Sequence, residues 1–251
     1  MMDGLMLQSV LLFVVGAIAG ILNVLAGGGS LLTLPLLIFM GLPSTMANGT
    51  NRVAIFAQNV FAIGSFRRRG VFPARLALLC TLPALAGSWV GANLAVTMDD
   101  QLFNRVLALV MIGVMVFTAV DPMKKLRLEE HPLTPLRKLA ILVSFFVVGV
   151  YGGFVQAGVG FLIITALLLH GLDLVRINAV KVIVVFCYTF IALGVFINHG
   201  QIDWPAGIAL AVGNALGGWI GPKLAVAKGH DWIKKVVTAT VLIFALKLFF
   251  G

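Results

Sequence analysis

Long apolar stretches alternate with short polar connections along almost the whole chain. Ten stretches are evident, and each is predicted to be helical: 5–25, 31–40, 44–66, 73–96, 102–120, 136–156, 161–170, 174–198, 204–227 and 232–250. A helix needs about 20 apolar residues to cross the hydrocarbon core of a membrane. The stretches 31–40 and 161–170 are too short to cross unless the glycines before them join. The pattern predicts an all-α membrane protein with 8–10 apolar segments.

The composition excludes a soluble domain. Apolar residues make up 61% of the chain, charged residues only 11%, and the mean hydropathy is +1.09, whereas soluble domains are about 45–50% apolar and about 25% charged. The net charge of +9 does not indicate nucleic-acid binding, because the basic residues lie in short connections rather than in one stripe. The expected surroundings are membrane lipid. No Lys or Arg precedes the first apolar stretch, so we expect that stretch to belong to the mature fold.

The apolar stretches follow the same order twice: long, short, long, long, long. Residues at an offset near 130 match between the two halves, and the matches are not confined to common apolar residues: Asn48 with Asn178, Phe56 with Phe186, Gly87 with Gly217, and Gly91 with Gly221. We therefore predict a duplication, with repeat one at 1–120, a cytoplasmic linker at 121–135 and repeat two at 136–251. Each repeat would contain a glycine-broken helical hairpin plus three transmembrane helices.

Two arguments predict that the repeats are inverted. Each repeat crosses the membrane an odd number of times, whether its hairpin spans the membrane or is re-entrant, so the second repeat enters from the opposite side. The charges of the connections also reverse. The loop with Arg67, Arg68 and Arg69 has a counterpart at 198–203 without Lys or Arg, and the loop 98–101 has a basic counterpart at 223–235. Because basic loops face the cytoplasm, both termini are predicted on the periplasmic or extracellular side of the cell inner membrane.

Small and polar residues interrupt the apolar pattern at corresponding positions of the two halves. The residues predicted to line a substrate site there are Asn23, Gly27, Gly28, Gly29, Ser30, Gln156, Gly158 and Gly160. Glycine weakens a helix by about 1 kcal/mol relative to alanine, and a broken helix persists in a membrane only where it is buried in protein or lines a cavity. The helix after each break would aim N–H groups at the break, which favours an anion. The alternative is close helix packing by small residues.

A second candidate set follows each short stretch: Asn48, Thr50, Asn51, Arg52, Asn178 and Lys181. A cation within a membrane segment is costly and indicates a functional site, and the alternative is that Arg52 and Lys181 snorkel to the membrane surface. All nine Asp and Glu residues fall in connections or at the ends of stretches. This disfavours a cationic substrate and a carboxylate-based proton or sodium coupling. An anion could leave the cell on the membrane potential alone.

The stretch GILNVLAGGGSLLTLP at 20–35, followed by ANGT at 47–50, resembles the TauE/SafE sulfite-exporter family, and the resemblance covers nearly the whole chain. It implies a plasma-membrane transporter of sulfur-containing anions such as sulfite, sulfoacetate or another organosulfonate, without a cofactor. Repeat two has Ala166 where repeat one has Pro35. The two half-sites are therefore not expected to be equivalent.

The resulting hypothesis is alternating access of a small oxyanion between two glycine-tipped hairpins, with export as the expected direction. Asn48, Asn178 and backbone amides would bind the oxygens, and Lys181 and Arg52 would supply charge. Two alternative functions remain: an anion channel with the same site, and a membrane scaffold subunit that transports nothing. The sequence does not decide whether the protein forms a homo-oligomer. An enzyme is disfavoured, because the sequence contains no HExxH, no GxSxG and no paired intramembrane aspartates.

Overall fold

The protein is all-helical in the residues that the structure, a computed structural model, describes: 2–119, 134–168 and 173–250. These ranges contain nine helices: α1 (Met2–Leu25), α2 (Ser30–Phe39), α3 (Ser44–Arg67), α4 (Ala74–Val96), α5 (Asp100–Ala119), α6 (Pro135–Phe154), α7 (Val159–Leu168), α8 (Leu174–Asn198) and α9 (Trp204–Phe250). Four segments within them are long and apolar enough to cross a membrane: Met6–Leu25, Ala74–Val96, Pro135–Phe154 and Leu174–Asn198. The predicted all-α membrane protein is confirmed.

Most helix ends lie where the sequence predicts them. Asp173 caps α8 by accepting hydrogen bonds from the backbone N–H groups of Val175 and Arg176, and Thr134 accepts one from the N–H of Arg137 at the start of α6. A side-chain acceptor at this position satisfies an N–H group that has no partner within its own helix. Most of the predicted linker and the turn between α7 and α8 lie outside the described residues.

The predicted interruption between the last two apolar stretches is wrong. Residues 228–231 are helical, and α9 continues through them as a single helix of 47 residues, about 70 Å long at 1.5 Å per residue. The segment 228–231 is polar, but polarity alone does not end a helix. It contains one glycine and no proline, and a single glycine costs about 1 kcal/mol, which a long helix tolerates.

Small residues allow α1 to pack closely against α9. A Cβ built on Gly16 would lie 2.7 Å from the carbonyl oxygen of Leu210, and one on Gly20 would lie 2.6 Å from that of Asn214. Residue numbers rise together along the contact, so the two helices run in the same direction. Helices α4 and α6 pack in the same way. Each of the four helices carries two glycines four residues apart on its contact face, a pattern typical of tightly packed membrane helices. The pairs are Gly16 and Gly20 on α1, Gly213 and Gly217 on α9, Gly87 and Gly91 on α4, and Gly149 and Gly153 on α6.

The two ends of the helical bundle differ in charge. At one end the guanidinium of Arg68 and the ammonium of Lys223 both lie over the ring of Trp219, at 5.0 Å and 5.6 Å from its centroid. A groove of about 490 Å³ at the same end is lined by residues 70–73 together with Asp173, Val175 and Arg176. At the other end α3 begins among acidic and polar groups, since the N–H of Thr45 donates to a carboxylate oxygen of Asp100 at 3.1 Å.

Candidate functional site

The first break in the helical pattern lies between α1 and α2. Gly27 has a φ of +82°, a conformation that glycine adopts without steric cost. Its N–H still donates to the carbonyl of Asn23, so the turn closes the end of α1. The side chain of Asn23 reaches across the break, where its Oδ1 accepts the N–H of Gly29 at 2.9 Å. Helix α2, only 10 residues long, covers about 15 Å, half of the hydrocarbon core.

The second break, between α6 and α7, repeats this arrangement. Gly158 has a φ of +71°, and Gln156 is the one described non-glycine residue with a positive φ, +62°, a conformation that non-glycine residues rarely adopt and that is frequent at functional sites. The Nε2 of Gln156 donates to Oγ1 of Thr189 on α8 at 2.7 Å. The hydroxyl of Tyr151 donates to the carbonyl of Ala157 and fixes the turn from the α6 side.

The two breaks touch each other in the middle of the bundle. A Cβ built on Gly27 would lie 2.3 Å from the Cα of Gly160, and one on Gly160 would lie 2.2 Å from the Cα of Gly27. Such distances are far below van der Waals contact, and the obstructing atoms are backbone. The two hairpin tips can therefore approach this closely only because both positions are glycine.

Side chains of α8 cover the carbonyl end of α1. The ammonium of Lys181 donates to the carbonyl of Val24 at 2.8 Å and to Oδ1 of Asn178 at 2.6 Å, and Nδ2 of Asn178 donates to the carbonyl of Leu25 at 3.2 Å. Lys181 is only 2% exposed. It does not snorkel to the membrane surface but stabilises the negative end of a broken helix, where the carbonyls lack intrahelical partners.

Side chains of α3 cover the carbonyl end of α6 in the corresponding way. The guanidinium of Arg52 donates to the carbonyls of Gly152 at 3.0 Å, of Gly153, and of Phe154 at 3.3 Å. Nδ2 of Asn48 also donates to Phe154, at 2.7 Å. Arg52 is fully buried, so it does not snorkel either. Each half of the protein thus satisfies the helix end that the other half leaves open.

A small cavity lies where the two breaks meet α3 and α8. Its volume is about 20 Å³, room for one or two water molecules. Six of the predicted site residues line it: Asn23, Gly27, Ser30, Gln156, Gly160 and Lys181. Lys181 is the only charged residue that lines the cavity, so the site has a positive charge and no carboxylate among its described residues.

The other predicted site residues do not line the cavity. Gly28, Gly29 and Gly158 are within the breaks, and Asn48, Arg52 and Asn178 contact the helix ends described above. Oδ1 of Asn51 accepts from the hydroxyl of Thr33 on α2 at 2.7 Å. The hydroxyl of Thr50 accepts the N–H of Asp203 at 2.9 Å, at the acidic end of the bundle.

Part of the cavity wall was not predicted from the sequence. It is formed by the middle of α3, the start of α7 and the middle of α8: Ile55, Gln58, Asn59, Val159 and Val185. A signal for part of this set exists. Asn51, Ile55, Gln58 and Asn59 recur at helical spacing from Asn48, and residues three and four apart share one face of a helix. The polar face of α3 could therefore have been extended by two turns.

Comparison with known proteins identifies the family. The family model described as Sulfite exporter TauE/SafE matches residues 12–248. The chain belongs to this family. Its relatives include a probable membrane transporter protein of Sinorhizobium, 28% identical over 94% of this chain and 90% of the relative. Another, from Haemophilus influenzae, is 27% identical over 95% of this chain and 93% of the relative, and the Escherichia coli protein YfcA is 27% identical over 95% and 88%. No solved structure matches the chain.

Membership of the TauE/SafE family, together with the apolar helices, makes the protein a multi-pass membrane transporter and not an enzyme. The resemblance seen in the residues 20–35 is confirmed. A small-molecule substrate and a lipid environment follow from membership of the family.

Proposed function

We propose that the protein exports a small sulfur-containing oxyanion, such as sulfite or an organosulfonate, across the plasma membrane by alternating access. The observation that carries this proposal is the small cavity between the two hairpin tips, which is lined by Lys181 and by no carboxylate. The N-terminal ends of α2 and α7, which have positive partial charge, begin at its wall with Ser30 and Val159. An oxyanion matches these groups because it has negative charge and hydrogen-bond acceptors but few or no donors.

The two buried cations have different roles in this proposal. Lys181 lines the cavity, and its ammonium has three N–H donors, of which two are used by Val24 and Asn178. The third is available to a substrate. Arg52 lies outside the cavity and holds the end of α6. The proposed contact with the anion is therefore made by Lys181, and Arg52 supports the hairpin from behind.

Inverted repeats support alternating access, because they allow one half to rock against the other about a central site. Helices α1 and α9 run in the same direction. Helices α4 and α8 also run in the same direction. The hydroxyl of Ser88 donates to the carbonyl of Tyr188, and further along both helices Ala95 packs with Phe196. The short connection 199–203 turns the chain back between α8 and α9. Helix α4 is then antiparallel to the start of α9, its counterpart in repeat two, as an inverted duplication requires.

The distribution of charge supports an orientation with the N-terminus outside. The prediction that the C-terminus also lies outside is wrong, because α9 begins at the acidic end, passes Lys223 at the basic end and continues in the same direction without a break. Arg68, Lys223 and Arg176 lie near the same end of the bundle, and an end rich in Arg and Lys faces the cytoplasm. Export then follows from energetics, because each negative charge that leaves a cell gains about 2.3 kcal/mol per 100 mV of membrane potential. The proposed route runs from the groove at the basic, cytoplasmic end, through the cavity, to the acidic end.

A carrier is favoured over a channel by the size of the cavity. The cavity has room for one or two water molecules, fewer atoms than a sulfur oxyanion has, and the backbones of Gly27 and Gly160 are in contact. The tips have to separate for an anion to enter, so transport is expected to saturate and to show counterflow.

The test is anion flux into proteoliposomes. Purified protein is reconstituted and supplied with sulfite, ethanesulfonate, sulfoacetate or sulfate. Lys181→Met is compared with Lys223→Met, which removes an exposed lysine outside the cavity. We expect saturable flux of at least one of the sulfur anions for the wild-type protein and Lys223→Met, and loss of flux for Lys181→Met with the protein still folded. Absence of any flux from the wild-type protein would favour the scaffold, and flux without counterflow would favour the channel.

A further inference from the structure

We propose that Gln58 on α3 donates an N–H of its side-chain amide to the transported anion, and that Asn23 holds the amide in that orientation. This inference rests on the proposed function and concerns the same cavity. It adds a neutral hydrogen-bond donor to the cavity that Lys181 also lines, and it gives Asn23 a positioning role.

The orientation of both amides follows from one backbone group. The N–H of Gly29 can only donate, so the atom of Asn23 that it meets, at 2.9 Å, must be the oxygen Oδ1. The other end of Asn23 is therefore its NH₂ group, which donates to Oε1 of Gln58 at 3.2 Å. The NH₂ group of Gln58 must then point away from Asn23. A directed chain of hydrogen bonds thus runs from the start of α2, through Asn23, to Gln58.

The NH₂ group of Gln58 is left for the cavity. Gln58 is 3% exposed and lines the cavity, and no described residue accepts a hydrogen bond from its Nε2. Gln58 lines the cavity, so this donor is free to bond to a water molecule or to an acceptor that replaces the water there. An oxyanion is such an acceptor. Hydrogen bonds to charged groups are also stronger than those between neutral groups.

The chain of hydrogen bonds also explains why a neutral side chain is effective here. It starts at the N–H of Gly29, the residue that caps the N-terminal end of α2, where the helix has positive partial charge. Each bond polarises the next, so the positive end of α2 strengthens the donor at Gln58. The Asn23–Gln58 bond joins the first hairpin tip to α3, and the donor is correctly aimed only while the tip is docked on α3.

The test is the concentration dependence of flux in proteoliposomes for Gln58→Met, which keeps the length of the side chain but removes the amide. We expect the KM for the transported anion to rise by about tenfold to a hundredfold, the range for one hydrogen bond to a charged group, with the maximal rate close to that of the wild-type protein. The matched control is Asn93→Leu, which removes an exposed amide on α4 that bonds to Trp89 of its own helix. Its KM should not change.

A second variant, Gln58→Glu, keeps the acceptor for Asn23 and replaces the donor with a negative oxygen. It should fold and lose flux at every concentration tested. The positioning role is tested in a double-mutant cycle, in which Asn23→Leu should raise the KM of the wild-type protein but change it little in the Gln58→Met background.

The outcomes separate this inference from the proposed function. If the wild-type protein moves no sulfur anion, the proposed function fails. If it does so while Gln58→Met keeps the wild-type KM, or loses maximal rate at an unchanged KM, the role of Gln58 as an anion contact is wrong although the proposed function stands.

Discussion

Replacement of Arg52 by methionine tests whether this cation stabilises a helix end or binds the substrate. Methionine fills much of the same space but donates no hydrogen bond. The carbonyls of Gly152 and Gly153 would lose the donors that Arg52 supplies, whereas that of Phe154 keeps Asn48. Two buried acceptors without partners cost about 1–3 kcal/mol each, so about 2–6 kcal/mol in all. Removal of a buried charge offsets part of this loss, and we expect a net destabilisation of about 2–4 kcal/mol.

The assay is thermal unfolding in detergent, combined with the KM for the transported anion. The control is Arg67→Met, which removes an exposed arginine at the end of α3 and should change stability by less than about 0.5 kcal/mol. Arg52→Met should unfold at a lower temperature than the control, while the fraction that stays folded should bind the anion with a nearly unchanged KM. The reasoning would be refuted by an unchanged unfolding temperature together with a large rise in KM, since Arg52 would then be a ligand of the anion.

Two further predictions concern the hairpin tips and the orientation in the membrane. Gly160→Ala should destabilise the protein by about 1–3 kcal/mol in thermal unfolding, because the added Cβ meets the backbone of Gly27. The control Gly194→Ala, whose Cβ meets nothing within 4 Å, should be neutral or stabilising. Equal effects of the two substitutions would contradict the close approach of the tips. The orientation is tested with single cysteines in a background without Cys80 and Cys187. A cysteine at Gln201 should react with a membrane-impermeant maleimide on intact cells, and a cysteine at Arg69 should react only after permeabilisation. The reverse pattern would overturn the proposed orientation.

Local features of this fold could be predicted from the sequence because their causes are local. Helix α8 begins and ends where the apolar run predicts it, since Asp173 caps its start and Gly200, with a φ of +65°, follows its end. The two breaks could be predicted because glycine and polar residues interrupt apolar runs at corresponding positions. The predicted interruption of α9 was wrong because it was based only on the polarity of residues 228–231. Polar residues mark where a chain prefers water, but they do not by themselves end a helix.

The partners of the buried polar residues could not be predicted, because they are distant in the chain. Asn48 bonds to the carbonyl of Phe154, 106 residues away, and Lys181 to that of Val24, 157 residues away. A single sequence indicates that such residues need partners, but backbone carbonyls are the same at every position and carry no sequence signal. The sequence therefore identified Arg52 and Lys181 as unusual, but it could not separate the residue that lines the cavity from the one behind it.

The arrangement of the helix ends favours an anion at this site. A break inside a membrane leaves carbonyls on one helix and N–H groups on the next without partners. The carbonyl ends of α1 and α6 are covered, each by a cation and an asparagine from the other half, namely Lys181 with Asn178 and Arg52 with Asn48. The same cations offset the negative potential of these ends, so the N–H ends of α2 and α7 dominate the field at the cavity. A site for a cation would need the opposite arrangement, with carboxylates on the N–H ends and the carbonyls left open to the substrate.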